Sequence, residues 1–478
     1  MNNSDSDELL RFGYKQELQR SMGGFSSFAI SFSLISVLTG IFANFNFGFA
    51  QVGGMLAWSW LLVGLGQFLV ALVMADLSNH YPISGYGYQW TARLVNPHYG
   101  FFVGWFLLIQ FITGFPGTSQ ALAVTLNSML GGESSGWTVT LITFAVITSV
   151  TIIHIYGIRI VSLVNNLGVY AELAGVILLA GALAAIWLAA GGVDSGNLFN
   201  AANSFSKNAA WFSSFALSLL VGAWCLTGFE AAADLAEETH SPRKHVPRAV
   251  LLSQASAALA GFILISLLLL SAGDIEQRRG SSNALVSILE HSIGTRATAA
   301  TGILVLVSIY ACAVASLATA TRLLFSMARD NIFPFSARLA GINRQRQAPQ
   351  VATVVIWLFS TLVIFSFRRI EIITSVGTVA AYLGYAGIML ATILSSQDLK
   401  DAGGFSLGRW RRPVQVSSLL WTLSVVAALS IPETEIEGIA SKHLPVQMAL
   451  LAALLGVLLY IFFVRRKINS GQAGPPGC

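Results

Sequence analysis

The chain is poor in charge. Asp, Glu, Lys and Arg make up 10% of its 478 residues, against about 25% in an ordinary soluble domain. Together with 55% hydrophobic residues and a mean hydropathy of +0.69, this excludes a soluble globular protein. Cysteine is nearly absent as well. Cys225 and Cys312 sit in apolar runs and Cys478 is the last residue, so free thiols are expected rather than a disulfide framework. The seven histidines show no HExxH or paired spacing, and no P-loop or dinucleotide fingerprint occurs. Metal-dependent hydrolysis, an ATP-driven pump and a dinucleotide enzyme are therefore not expected, nor is any cofactor or metal. Gly132-Glu133-Ser134-Ser135-Gly136 spells GxSxG. It lies in a short loop without the strand-to-helix turn of a nucleophile elbow, so it reads as a connector, and no catalytic residue is expected.

What fills the chain instead is apolar sequence of membrane-spanning length. A helix crossing ~30 Å of hydrocarbon needs about 20 such residues. Twelve spans fit, at about 25–50, 55–77, 101–128, 138–157, 162–190, 211–236, 248–272, 297–327, 351–367, 373–394, 415–430 and 446–464. The fold class read from this is an all-α polytopic membrane protein. The chain divides into a tail (1–22), a ten-helix core (23–394), two further spans (415–464) and a second tail (465–478). Residues 1–22 lack the basic-then-apolar order of a signal peptide, so span one is expected to serve as the insertion signal. With the N-terminus cytoplasmic, inside segments hold twenty Lys and Arg; outside segments hold seven, namely Lys207, Arg278, Arg279, Arg296, Arg368, Arg369 and Lys442. That imbalance satisfies the positive-inside rule and puts both termini inside the cell membrane. It also accounts for the net charge of +5 without nucleic acid.

Two copies of one tripeptide organise the core. Leu38-Thr39-Gly40 recurs 188 residues later as Leu226-Thr227-Gly228, and both runs open with Phe-Ser-Ser-Phe-Ala, at Phe25 and at Phe212. Glycine inside a helix costs about 1 kcal/mol against alanine, so both sites read as helix breaks. They fall in spans one and six. An odd number of spans between them inverts the second copy, which marks an inverted repeat (about 23–190 and 208–394) with interrupted helices meeting near the midplane. A break frees carbonyls and N–H groups of opposite partial charge, complementary to an amino acid zwitterion. The substrate carboxylate is expected on N–H groups at Thr39 and Gly40, with the Thr39 hydroxyl as a further donor. The ammonium is expected on carbonyls near Ser36, Trp224 and Thr227, with Gly40 and Gly228 allowing close approach.

Acids inside spans are functional hypotheses by default. Glu230, two residues past the second break, and Glu172, mid-span five, are the proton-coupling candidates. Capping the second half-helix is the structural role open to Glu230; pairing with Asn165, Asn166 or Tyr170 is the one open to Glu172. Glu230 would favour a ligand with a second or displaced amine, such as a diamine or GABA. Asp234, Glu237 and Glu238 are expected to pair with the basic loop at Arg243-Lys244, and Asp76 to lie at the same interface. Gln110 and Gln120 line the pathway or bond a neighbouring helix. Residues 78–95 read as a loop with an interfacial helix anchored by Tyr86, Tyr88 and Trp90. Residues 282–293 read as a short amphipathic helix outside, and 468–478 as disordered.

At these residues the chain resembles the amino acid–polyamine–organocation permease superfamily, especially its amino acid/choline transporter (GABA permease-like) branch. The resemblance runs through Gly13-Tyr14-Lys15-Gln16-Glu17-Leu18 and Phe25-Ser26-Ser27-Phe28-Ala29, then Ala75-Asp76-Leu77 with Tyr81-Pro82-Ile83-Ser84-Gly85. It continues at Gly228-Phe229-Glu230, at Glu237-Glu238-Thr239, and at Ala328-Arg329-Asp330 with Pro334-Phe335. It implies a LeuT-like 5+5 inverted fold, discontinuous helices 1 and 6, and alternating access. By similarity the substrate contacts are Ser36, Thr39, Gly40, Trp224, Thr227 and Gly228, with Trp224 in the place of a gating aromatic. Three departures matter: Leu-Thr-Gly replaces the Gly-Ser-Gly of many relatives, Glu172 stands where some proton-coupled relatives have lysine, and Glu230 is often Asp. The expected function is a secondary active transporter of an amino acid or related amine, coupled to protons. Sodium coupling through Ser316, Thr319 and Thr321, or exchange, is the mechanistic alternative. A non-transporting nutrient receptor is the alternative of another class.

Overall fold

The computed structural model describes residues 3–132, 136–156, 158–192, 195–201, 208–279, 281, 283–343, 348–367, 369–395, 404–430 and 444–477. Glu133–Ser135 of the GxSxG stretch, Gly157, Lys207, Arg368, Lys442 and Cys478 lie outside the described residues.

Lipid offers no hydrogen-bond partner to a bare backbone, so apolar spans satisfy their own amides as helix. A short α1 (Asn3–Arg11) is followed by α2 (Gly24–Ile35) and α3 (Val37–Val52), two halves of one rod separated at Ser36. Next come α4 (Leu56–His80), α5 (Tyr86–Leu94), α6 (Pro97–Met129), α7 (Trp137–Tyr156) and α8 (Ile158–Ala189). The helix α9 (Asn208–Cys225) stops in mid-rod, and only a short α10 (Ala231–Asp234) resumes it. Beyond are α11 (Pro242–Leu270), α12 (Ile275–Arg279), α13 (Ala284–Ile293), α14 (Thr295–Arg329) and α15 (Ser336–Leu339). The last are α16 (Gln350–Ser366), α17 (Ile370–Leu394), α18 (Arg411–Leu429), α19 (Leu444–Leu459) and α20 (Arg465–Asn469). The described residues form helices and no strands, apart from two isolated bridges, Met22 with Thr239 and Asn343 with Ala348. Among the described residues, nine helical stretches are long and apolar enough to cross a membrane.

The broken rods sit at the centre. Along the bundle α3 packs on α9, α4 on α11, and α6 between α14 and α17. Large apolar side chains are buried where these helices meet, whereas Leu358, Leu362, Leu450, Leu454 and Phe462 of α16, α19 and the turn after it are exposed. An apolar exterior around a packed interior is what a lipid-facing bundle requires.

Two loop expectations change and a third holds. Tyr86, Tyr88 and Trp90 are fully buried, because α5 folds back into the bundle against α6 and α17 instead of lying in an interface. The segment after α19 is ordered: Gly474 N–H donates to the Asp330 carbonyl at 2.9 Å and Asn331 Nδ2 to the Gln472 carbonyl at 2.9 Å. Its polar composition marks a solvated strap, not disorder. The amphipathic pattern at 282–293 does form α13, started by Asn283 Oδ1 accepting the Val286 N–H at 3.2 Å.

Candidate functional site

The first rod breaks because Ser36 adopts a left-handed backbone, φ 40° and ψ 89°. Its hydroxyl then caps α3, accepting the Thr39 N–H at 3.3 Å in the usual role of serine at a helix start. Thr39 and Gly40 therefore lie in the first turn of α3, not in the break itself, and the Gly40 N–H is spent on the Ser36 carbonyl at 3.0 Å. The second rod breaks across Leu226–Glu230, with Gly228 at φ 109°, a conformation natural only to glycine.

The breaks touch reciprocally. A Cβ on Gly40 would run into Cys225, the last residue of α9. A Cβ on Gly228 would stand 3.1 Å from the Leu34 carbonyl carbon and 3.2 Å from the Ile35 nitrogen, at the end of α2. Ser31 of α2 ties the two together, donating to the Phe229 carbonyl and accepting the Ala232 N–H, both at 2.9 Å. Gln67 of α4 donates to the orphaned Leu226 carbonyl at 3.1 Å.

Between the breaks is a small cavity of about 40 Å³, whose lining includes Thr39, Gln110, Trp224, Thr227, Gly228 and Ser316. Ser36, Gly40 and Gln120 do not line it. The Thr227 hydroxyl is turned back to the Trp224 carbonyl at 2.8 Å. A much larger cavity, about 850 Å³, opens further along the same helices. It is lined by Asn46 of α3, Ser128 of α6, Glu290 of α13, Thr298 of α14 and Glu371 of α17.

Glu230 is fully buried and makes no cap to α10. It accepts from the Gly228 N–H at 2.9 Å, Gln110 Nε2 at 3.0 Å and the Tyr385 hydroxyl at 2.7 Å. Glu172 reaches none of Asn165, Asn166 or Tyr170 in the contacts it makes; it accepts the Leu38 N–H at 3.3 Å. Tyr385, Ser31, Gln67 and Cys225 had no local sequence signal, since each matters only through a contact more than a hundred residues away.

The terminus-bearing end is sealed by charge. Arg329 binds Glu237 with both terminal nitrogens, at 3.0 and 2.9 Å, and Arg322 binds Glu238 at 2.8 and 3.3 Å. Asp234 accepts the Gly85 N–H at 2.8 Å. These acids thus pair with α14 and the α5 loop; Arg243 of the basic loop pairs with Glu8, and Asp76 pairs with Arg411 at 2.8 Å. Asp330 accepts from the hydroxyls of Tyr14 at 2.7 Å and Tyr88 at 2.9 Å and from Gln89 Nε2 at 2.8 Å. Burial pushes its carboxyl above the ordinary range, and Arg329 and the two tyrosines pull it back.

Residues 22–457 match the sequence pattern of a family described as amino acid permease. The chain belongs to that family. Relatives run the length of the permease: one named amino-acid permease BAT1, from Arabidopsis thaliana, is 28% identical over 97% of this chain and 95% of its own. Its homolog from Oryza sativa is 25% identical over 89% of this chain and 87% of its own. A protein named putative polyamine transporter, from Candida albicans, is 24% identical over 90% of this chain and 82% of its own. The permease is therefore an integral membrane transporter of the amino acid–polyamine–organocation superfamily, not an enzyme.

Proposed function

We propose that this permease moves an amino acid or related amine across the cell membrane by alternating access, driven by protons. The observation that carries the reading is the reciprocal contact of the two breaks, Gly40 on Cys225 and Gly228 on Leu34-Ile35, around one small polar-lined cavity. The nine long apolar stretches include Gly24–His80, which divides at Val52; with Trp211–Cys225 and Gln350–Ser366 they supply the twelve crossings of a 5+5 inverted core plus two. The substrate ammonium docks on the Leu34 and Ile35 carbonyls, Thr39 and Thr227 line it, and Trp224 closes over it. Both termini are cytoplasmic, so the open 850 Å³ cavity is the external vestibule and the ion-paired end is the closed internal gate.

Glu230 is the proton carrier. It is buried beside the cavity and linked to the second break through Gly228, so a change in its charge alters the donors holding that break. Sodium coupling has less support. The Thr319 and Thr321 hydroxyls donate to carbonyls of their own helix at 3.0 and 2.8 Å, and the Arg322 guanidinium donates to Thr321 at 3.2 Å, a poor neighbour for a cation. The test is uptake of labelled amino acids and amines by proteoliposomes, with and without an inward proton gradient, in sodium or in choline buffer. Accumulation that follows the pH gradient and ignores sodium supports the reading; accumulation only in sodium refutes the coupling, and saturable binding without uptake refutes transport.

A further inference from the structure

A broken membrane helix offers a ligand bare carbonyls at the end of its first half and bare N–H groups at the start of its second. In this permease an N–H group at each break already faces a resident carboxylate. Val37 and Leu38 open α3, and the Leu38 N–H donates to Glu172 of α8 at 3.3 Å. The next two amides, of Thr39 and Gly40, are spent on the Ser36 hydroxyl and carbonyl. At the second break the Gly228 N–H goes to Glu230 and the Ala232 N–H to Ser31.

The carbonyl side is the reverse. The Leu34 oxygen has Cys312 Sγ at 3.2 Å and the Ile35 oxygen has Cys225 Sγ at 3.6 Å; thiols are weak donors, readily displaced by an ammonium. The Thr39 hydroxyl, 2.5 Å from Ser36 Oγ, also lines the cavity and offers it an oxygen. The cavity lining contains no Lys, Arg or His.

We infer that the site takes an ammonium ligand without a carboxylate, a primary amine or α,ω-diamine, in preference to a zwitterionic amino acid. A substrate carboxylate entering here meets the Leu38, Thr39, Gly40 and Gly228 amides already bonded, and two resident carboxylates, Glu172 and Glu230. An ammonium meets the Leu34 and Ile35 carbonyls, the Thr39 oxygen and, for the second amine of a diamine, the side of the cavity that Gln110 shares with Glu230. The inference rests on the reading of this cavity as the substrate site and narrows its substrate class.

The test compares 1,4-diaminobutane with 4-aminobutyrate, which differ at one end only, and adds butylamine and leucine. Binding is measured on the purified full chain, with proteoliposome uptake in parallel. The diamine should bind at least tenfold tighter than 4-aminobutyrate or leucine, with butylamine between. Glu172→Gln should narrow or reverse that ratio by removing the negative charge that repels a substrate carboxylate, improving 4-aminobutyrate at least fivefold. Should Glu172→Gln fail to fold, the wild-type ranking and Glu172→Asp, which keeps the charge and should keep the ranking, decide. Binding of 4-aminobutyrate or leucine as tight as the diamine, or no amine binding at all, overturns the inference. The expected ranking without uptake overturns the transport reading and leaves the ligand class standing. Uptake that prefers leucine does the opposite.

Discussion

Gly40 and Gly228 hold the whole site at the scale of single atoms. A methyl group on either has no room, and on Gly228 it is also strained by the positive φ. Overpacking of this kind costs about 1–3 kcal/mol. Gly228→Ala should therefore lower the melting temperature of the purified protein and cut uptake more than tenfold; near-normal uptake would mean that the breaks need not touch. Glu230 calls for a different measurement. Glu230→Gln should abolish accumulation driven by a pH gradient while leaving downhill exchange, and Tyr385→Phe, which removes the 2.7 Å donor, should weaken coupling several-fold. Gradient-driven uptake that survives Glu230→Gln would remove the acid from the mechanism.

The broken rods are held from outside themselves, and so is the closed end. The continuation of α10 is bound through Glu237 and Glu238 to Arg329 and Arg322 of α14. Both members of the Arg322–Glu238 pair are buried, 4% and 3% exposed. Removing one partner leaves a charge without compensation, at a cost of about 3–5 kcal/mol. Arg322→Ala should thus lower the melting temperature far more than Arg322→Met combined with Glu238→Leu; equal losses would show that the pair contributes packing only. Both breaks were visible in the repeated Leu-Thr-Gly text, since glycine and threonine are costly in a helix interior. The actual fracture at Ser36 was not, because a left-handed serine has no sequence mark.

Across the whole molecule, the proposed transport path has the large cavity at one end and the ion-paired strap at the other. The strap includes the C-terminal segment, in which Gly474 holds the Asp330 carbonyl and Pro476 packs on Gly13. In intact cells an impermeant maleimide should label Ser128→Cys, in the large cavity, and not Ser84→Cys, buried at the closed end. Deleting residues 471–478 should increase labelling of Ser84→Cys in inside-out vesicles, read by mass spectrometry of the modified peptide. Unchanged labelling would show that the strap does not bear on the gate. Labelling of Ser128→Cys only in inside-out vesicles would invert the proposed orientation.

Composition and hydrophobic run length determined on their own that this chain lives in a membrane as helices, because lipid tolerates little else. The repeated tripeptide, being local, also located the region of the breaks. Tertiary structure alone decided which groups those breaks leave free. The partners of Glu172, Glu230, Glu237 and Glu238 come from helices far away in sequence, and a carboxylate's partner is a matter of distance in space, which no spacing along the chain encodes. The difference bears on function: the sequence promised amides for a substrate carboxylate, and the fold has already filled them.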